Sequence, residues 1–176
     1  MNSTYNVANL LTFVRIVCIP LIVIIFFLPT DLSRPITAVI FIVASITDWL
    51  DGWVAREFNQ SSKLGAFLDP VADKLIVSVA LILIVQSDPT ILNSIIAAII
   101  IGREITVSAL REWMSELGAR HQVSVIGYAK LKTVLQMFGL SFMLYQIPIF
   151  GLPIYTIGQL LLVVAAILTL WTMLVY

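Results

Sequence analysis

Charge-free stretches long enough to cross a membrane dominate the sequence. The longest runs from residue 133 to residue 176 without an Asp, Glu, Lys or Arg. A membrane-spanning helix needs about 20 predominantly apolar residues. With 60% hydrophobic and 11% charged residues among 176, the chain has too little polar surface to enclose a water-soluble globule, and disorder is excluded even more firmly. The sequence therefore predicts an all-α integral membrane protein.

The charge balance and the single cysteine argue against a nucleic-acid-binding protein and against a disulfide-stabilised fold. Ten basic and ten acidic residues cancel, so no basic field favours nucleic acid. The single cysteine, Cys18, cannot form an internal disulfide. Between Met1 and Val14 there is no Lys or Arg and no evident cleavage site, so we expect the first apolar segment to remain in the mature protein.

Polar and proline-rich breaks divide the chain into six predicted transmembrane helices. These helices cover about residues 6–28, 35–58, 69–86, 90–117, 124–146 and 154–176. Asp69 is a suitable N-cap for the third helix, with Pro70 at the first helical position. At about 20 residues per span, six helices fill the chain, which predicts one membrane-embedded domain over residues 1–176.

The distribution of basic residues predicts the orientation. With six spans, both termini and the second and fourth loops share one side. That side carries Arg56, Lys63, Arg111 and Arg120, and the opposite loops carry only Arg34. By the positive-inside rule, the shared side is cytoplasmic.

The second and third helices have short charge-free parts of 13 residues each, 35–47 and 75–87. Such a part covers about 20 Å of a hydrocarbon core of about 30 Å. The acidic residues at the ends of these helices must complete the spans, and they cannot face lipid. We therefore expect them to line a polar cavity open to the cytoplasm.

Four aspartates converge in this region. Asp48 and Asp51 are spaced i,i+3, and Asp69 and Asp73 are spaced i,i+4, so each pair shares a helix face. Four carboxylates in a low-dielectric recess repel each other unless cations neutralise them. An all-oxygen cluster favours Mg²⁺, Mn²⁺ or Ca²⁺ over zinc, and two such ions suit phosphoryl transfer.

Two other interpretations of the aspartates are open at this point. The acids could pair with the neighbouring basic residues Arg56, Lys63 and Lys74 at a wet membrane edge. They could also form an ion or proton pathway, as in a small cation transporter. The residues between the acids favour an enzyme over both.

Residues 48–73 read DWLDGWVAREFNQSSKLGAFLDPVAD. This stretch resembles the signature of the CDP-alcohol phosphatidyltransferase family, D-x2-D-G-x2-A-R-x8-G-x3-D-x3-D. All eight fixed positions match: Asp48, Asp51, Gly52, Ala55, Arg56, Gly65, Asp69 and Asp73. The resemblance implies a six-helix membrane enzyme, a homodimer, that uses two divalent cations, Mg²⁺ or Mn²⁺.

The same resemblance implies a role for each aspartate. Asp48, Asp51 and Asp69 would hold the two metal ions. Asp73 would touch one of them and act as the general base that deprotonates the acceptor hydroxyl.

The remaining motif positions would bind the CDP-diacylglycerol donor. The resemblance implies that Gly52 and Gly65 let the backbone approach the cytidine, that Ala55 keeps the same surface small, and that Arg56 contacts the CDP moiety with help from Ser62. Arg56 also suits the helix dipole near the end of its helix, so a purely structural role is open.

The first helix begins with a polar stripe, Asn9, Thr12 and Arg15, beside an apolar stripe. This amphipathic start suits the headgroup level of a membrane. The segment is similar to the N-terminal segment of bacterial family members that use glycerol 3-phosphate as acceptor, which implies that Asn9 and Thr12 bind CDP-diacylglycerol. Arg15 is either a substrate ligand or an interfacial anchor.

Residues 103–112 and 128–136 are similar to segments of the fourth and fifth helices of the same bacterial members. Arg103 and Arg111, eight residues apart, lie about 80° apart around a helix and can face one cavity. Lys130 and Lys132 lie about 200° apart and cannot both do so. We favour Lys130 facing the cavity and Lys132 facing the phospholipid headgroups, and the reverse assignment is open.

Basic side chains that face the interior of a membrane protein need an anionic partner. Because metal ions would already meet the CDP pyrophosphate, a phosphate on the acceptor is the natural partner of Arg103, Arg111 and Lys130. The sequence thus predicts transfer of a phosphatidyl group from CDP-diacylglycerol to glycerol 3-phosphate in the bacterial cytoplasmic membrane. Inositol phosphate, serine and phosphatidylglycerol are alternative acceptors.

Overall fold

The computed structural model describes residues 7–57, 63–116 and 128–174. These residues form six α-helices: α1 Val7–Phe26, α2 Ser33–Glu57, α3 Lys63–Ser87, α4 Ile91–Glu116, α5 Tyr128–Tyr145 and α6 Ile154–Leu174. Within this part of the chain, the only extended pairing is one isolated bridge between Ile149 and Leu152 in the turn before α6. The predicted all-α class is confirmed. Outside the description are the side chains of residues 7–11, 48–57, 63–67, 69, 111, 115, 128–130 and 174.

The predicted start of the third helix was wrong. α3 begins at Lys63, and Pro70 lies inside it, so Asp69 does not cap its N-terminus. An internal proline removes one backbone hydrogen bond and crowds the preceding turn. In an apolar environment the other backbone groups still favour the helix, because an unpaired backbone group costs several kcal/mol there.

Three helices are long and apolar enough to cross a membrane by length and composition, among the residues that the structure describes: Pro70–Ser87, Ile91–Met114 and Ile154–Met173. Shorter apolar stretches are Thr12–Phe26, Ser33–Thr47 and Leu131–Tyr145. Large apolar side chains also cover the outside of the bundle, including Ile24, Ile105 and Leu160, each more than 60% exposed. Such a surface is typical of a protein that faces lipid.

The core of the bundle draws on all six helices. Ile22, Phe41, Leu81, Ile100, Leu140 and Leu162 are each at most 1% exposed. α5 and α6 approach each other closely where Gly139 and Gly158 face each other. A Cβ atom built on Gly158 would lie 2.8 Å from the carbonyl oxygen of Gly139. The small residues therefore let the two backbones touch.

A polar network ties several helices together at one end of the bundle, which we call the Asn93 end. The buried Asn93 side chain donates from Nδ2 to Asp88 Oδ2 and to Tyr155 Oη, each at 3.0 Å. It accepts a hydrogen bond from Gln159 Nε2 at 2.9 Å. Tyr155 Oη also donates to Asp88 Oδ2 at 2.6 Å.

This network establishes the helix directions. Ser87 ends α3 and accepts a hydrogen bond from Gln146, just after α5, at 3.0 Å. α3 and α5 therefore end, and α4 and α6 begin, at the Asn93 end. The short connection from Glu57 to Lys63 brings the end of α2 to the opposite end of the bundle, which we call the motif end. α2 thus runs antiparallel to α3 and to α5.

Candidate active site

The eight fixed positions of the motif lie on two helices that meet at the motif end. Residues 48–56 belong to the last part of α2, and Gly65, Asp69 and Asp73 belong to the first part of α3. The connecting residues 58–62, which include Ser62, lie outside the described residues. The predicted helical setting of both aspartate pairs agrees with the backbone.

Each half of the motif forms one stripe on its helix. On α2, the five positions follow the spacing i, i+3, i+4, i+7, i+8 from Asp48 to Arg56. On α3, Gly65, Asp69 and Asp73 follow i, i+4, i+8. Both spacings keep all members on a single helix face. A continuous α3 is what aligns Gly65 with the two acids, because a helix starting at Asp69 would leave Gly65 in a loop.

Asp73 is the one motif carboxylate whose side chain belongs to the described residues, and it is half-buried. The next residue toward the N-terminus, Ala72, is fully buried. The position of Asp73 at the edge of the core fits a side chain that faces a recess between helices. The side chains of Asp48, Asp51 and Asp69 lie outside the description, so the metal site stays a prediction based on the donor set and the backbone.

The polar stripe of α1 faces the protein. Thr12 and Arg15, one turn apart, are each 1% exposed, whereas Phe13 and Val14 are 61% and 46% exposed. α1 packs against α2 and α3, the helices that carry the motif. The burial of Arg15 favours a substrate ligand over an interfacial anchor, and its role stays a prediction. The side chain of Asn9 lies outside the described residues.

A largely buried ionic cluster joins α4 and α5. Glu104 Oε1 accepts hydrogen bonds from Arg103 Nη1 at 2.9 Å and from Lys132 Nζ at 3.0 Å. The side chains of Arg103, Glu104 and Lys132 are 11%, 24% and 3% exposed. Two cations share one carboxylate, so the three side chains carry a net charge of +1. Arg103 Nε is also buried and has no hydrogen-bond partner among the described residues.

The expected orientation of Lys132 toward the phospholipid headgroups was wrong. Lys132 and Gln136, spaced i,i+4, are 3% and 4% exposed, whereas Leu131, Val134 and Phe138 are at least 50% exposed. The apolar residues at i, i+3 and i+7 form the outer face, so the polar residues between them point inward. The sequence alone already contained this periodicity of the apolar residues.

Sequence reasoning also missed Glu104 as a site residue. An acid next to Arg103 within an apolar helix was a usable signal, because a charged side chain at that depth needs a partner. The structure supplies the partner from another helix, 28 residues further along the chain. Of the other predicted acceptor-side residues, Arg111 and Lys130 have side chains outside the described residues.

The ionic cluster lies at the same depth as the motif. Ser45 on α2 contacts Met137 on α5, with 3.7 Å between Oγ and Sδ. Toward the motif end, Asp48 and Asp51 lie about 4.5 and 9 Å beyond this contact, at 1.5 Å per residue. Lys132 lies about 7.5 Å beyond it on the antiparallel α5, by the same rise. Lys132, and with it the ionic cluster, therefore starts from about the same depth as the aspartates of α2.

The chain belongs to the CDP-alcohol phosphatidyltransferase family. The sequence model of that family, described as "CDP-alcohol phosphatidyltransferase", matches residues 5–171. The match covers all six helices except the last residues of α6. The family resemblance of the motif is thus confirmed, and the chain is a phosphatidyltransferase.

Bacterial relatives named CDP-diacylglycerol–glycerol-3-phosphate 3-phosphatidyltransferase are similar over nearly the whole chain. The proteins of Escherichia coli (strain K12) and Shigella flexneri serotype 5b are each 46% identical over 172 residues. The protein of Salmonella choleraesuis is 45% identical over the same length. Each alignment covers 98% of this chain and 93% of the relative.

Proposed function

We propose that this protein transfers the phosphatidyl group of CDP-diacylglycerol to sn-glycerol 3-phosphate, which yields phosphatidylglycerophosphate and CMP. The observation that carries the proposal is the Arg103–Glu104–Lys132 cluster, whose buried lysine starts from the depth of the aspartates of α2. A family member needs one site for the CDP pyrophosphate and one for the acceptor. A net positive acceptor site fits an acceptor that bears its own phosphate, and the names of the bacterial relatives agree with this choice.

The proposed setting is the bacterial cytoplasmic membrane. All six helices would span it as one domain, with the motif end and its polar cavity facing the cytoplasm. Arg56, Lys63 and Arg111 belong to the motif-end parts of their helices, and Arg34 belongs to the opposite end; this distribution supports the proposed orientation by the positive-inside rule. The apolar exterior of α1, α4 and α6 supports this arrangement. The family resemblance further leads us to propose a homodimer.

Asp48, Asp51, Asp69 and Asp73 would hold two divalent cations, Mg²⁺ or Mn²⁺. Carboxylate oxygens are the ligands that these hard ions prefer. When bound, the ions would neutralise the pyrophosphate of the donor and stabilise the departing CMP. Two acids on α2 and two on α3, each pair on one helix face, fit such a pair of ions.

The donor would be held by the remaining motif residues. Gly52, Ala55 and Gly65 lie on the same stripes as the acids and leave room for the cytidine. Arg56 and Ser62 would contact the CDP moiety. Asn9 and Thr12 would contribute from α1, and the buried position of Thr12 against the motif helices supports its part.

In the reaction, Asp73 would accept the proton of the acceptor hydroxyl. The hydroxyl oxygen would then bond to the phosphorus that carries the diacylglycerol, and the bond from this phosphorus to the CMP oxygen would break. Arg103, Arg111 and Lys132 would hold the acceptor phosphate. We assign Lys132 rather than Lys130 to this site, since the two lie about 200° apart around α5. The protein thereby supplies mainly positioning and charge stabilisation.

The test is turnover by the purified protein in mixed micelles with CDP-diacylglycerol, Mg²⁺ and one acceptor at a time. We expect release of CMP with glycerol 3-phosphate and little with serine, inositol phosphate or phosphatidylglycerol. Equal rates with serine and glycerol 3-phosphate would overturn the acceptor assignment. Absence of CMP release with every acceptor, in a sample that is folded, would overturn the reaction itself.

A further inference from the structure

Among the residues whose side chains are described, Glu104 is a carboxylate that both Arg103 and Lys132 contact. Its Oε1 atom accepts from Arg103 Nη1 and Lys132 Nζ, and neither the motif nor the proposed reaction assigns it a task. We propose that Glu104 is a positioning residue: it holds the Lys132 ammonium and the Arg103 guanidinium in the arrangement that receives the acceptor phosphate. This inference rests on the proposed function.

The Glu104–Lys132 contact is not a by-product of close helix packing. Among the described residues, no Cα atom of α4 comes within 8 Å of a Cα atom of α5. Packed helices have axes about 8–10 Å apart, with many closer backbone approaches. The two long side chains therefore bridge helices whose backbones do not touch. Two cations held together in this way are suited to binding a small anionic group.

The charges explain why a carboxylate is needed there. Without Glu104, the Lys132 and Arg103 side chains would repel each other across a low-dielectric gap, and each would lose a charge-assisted hydrogen bond. With Glu104, the cluster keeps a net charge of +1, so it still attracts a phosphate. The buried Arg103 Nε, without a partner among the described residues, leaves the guanidinium a donor for that phosphate.

Glu104 would act through Lys132 rather than on the substrate, because a carboxylate repels a phosphate. This distinguishes positioning from a purely structural link between α4 and α5. A structural link would affect both substrates and the stability of the whole protein. A positioning residue affects the apparent affinity for the phosphate-bearing acceptor and leaves the donor site unchanged.

The experiment compares Glu104→Gln, Glu104→Asp, Lys132→Gln and the double variant Glu104→Gln/Lys132→Gln. Glu112→Gln is the matched control, because Glu112 lies on the same helix and is exposed. For each purified protein, KM and kcat are measured for glycerol 3-phosphate at saturating CDP-diacylglycerol, and KM is measured for CDP-diacylglycerol. The wild-type rate reports on the proposed function independently of the variants.

We expect Glu104→Gln to raise KM for glycerol 3-phosphate about tenfold, the effect of losing one hydrogen bond between charged groups. KM for CDP-diacylglycerol should change less than twofold. Glu104→Asp, which keeps the charge, should fall between Glu104→Gln and the wild type. The double variant should be no worse than Lys132→Gln alone, because the two residues act as one unit. Its two amides replace the Glu104–Lys132 ion pair as a whole, and only Arg103 loses a charged partner.

An unchanged KM for glycerol 3-phosphate in Glu104→Gln would overturn the inference. Equal rises in KM for both substrates, or effects of the single variants that add in the double variant, would do the same. If the wild type does not use glycerol 3-phosphate, the proposed function fails and this inference fails with it. If the wild type is active and Glu104→Gln matches Glu112→Gln, only the inference fails.

Discussion

The contact between α5 and α6 predicts a large effect from adding one methyl group. In Gly158→Ala, the new Cβ would lie 2.8 Å from the Gly139 carbonyl oxygen, 2.8 Å from Phe142 Cβ and 2.9 Å from Met143 Cγ. Two of these three atoms are backbone or directly attached to it, so they cannot move without the helix. The two helices must therefore separate.

The expected cost follows from two opposing terms. Overpacking a tight site costs about 1–3 kcal/mol, and three simultaneous contacts below 3.0 Å put Gly158→Ala at the upper end. Replacing glycine by alanine inside a helix returns about 1 kcal/mol. We expect a net loss of about 2 kcal/mol in the free energy of unfolding.

Two further variants calibrate this value. Gly139→Ala would meet the Leu162 Cγ atom at 2.8 Å and the Gly158 carbonyl oxygen at 3.0 Å. Because the leucine side chain can adjust, we expect a smaller loss. Gly102→Ala, with nothing within 4 Å of its Cβ, should be neutral or slightly stabilising.

Unfolding of the three variants by SDS in mixed micelles, followed by tryptophan fluorescence, measures these differences. The expected order of stability is Gly102→Ala, then Gly139→Ala, then Gly158→Ala. If Gly158→Ala is as stable as Gly102→Ala, the helices are not in the close contact described, and the reasoning is refuted.

Three other perturbations test different parts of the molecule. Asn93→Leu should lower the free energy of unfolding by about 2 kcal/mol in the same assay, because partners such as Tyr155 lose their hydrogen bonds. The control Ser94→Ala, at an exposed position, should change the free energy of unfolding by less than about 0.5 kcal/mol. Equal effects of the two variants would contradict a stabilising role for the Asn93 network. Asp73→Asn should reduce kcat at least about 100-fold, the usual contribution of a general base, with an unchanged SDS unfolding curve; full turnover would refute the assignment. Removal of divalent cations with EDTA should abolish CMP release, and Mg²⁺ or Mn²⁺ should restore it; undiminished turnover in EDTA would exclude the two-metal site.

The helices and the motif were the predictable part of this protein. Apolar length, proline and polar breaks were enough to predict six helices, because a segment in lipid has to satisfy its backbone hydrogen bonds internally. The beginning of α3 was missed, since the local signal for a cap at Asp69 and Pro70 was weaker than the preference of the whole segment for a continuous helix. That error mattered for the site, because Gly65 lies on the same helix face as Asp69 and Asp73.

The acceptor side was less predictable. Arg103 was singled out for its depth in α4, and its side chain is 11% exposed. The predicted orientation of Lys132 was wrong, although the spacing of the apolar residues Leu131, Val134 and Phe138 indicated that Lys132 faces inward. Glu104 was overlooked because its partner, Lys132, lies on another helix and no local pattern links the two.

The sequence by itself determined the membrane class, the number of helices and the family. These follow from interactions within short segments: the transfer of apolar side chains to lipid, hydrogen bonding along one helix, and a motif of fixed spacing. Only the tertiary structure decided that Thr12 and Arg15 turn toward the motif helices, that Lys132 turns inward, and that Glu104 joins Arg103 on α4 to Lys132 on α5. Those features depend on which helix faces pack together. The contact of Ser45 with Met137 places Lys132 at about the same depth in the bundle as Asp48. Residues distant in the chain make these contacts, so no window of sequence contains them.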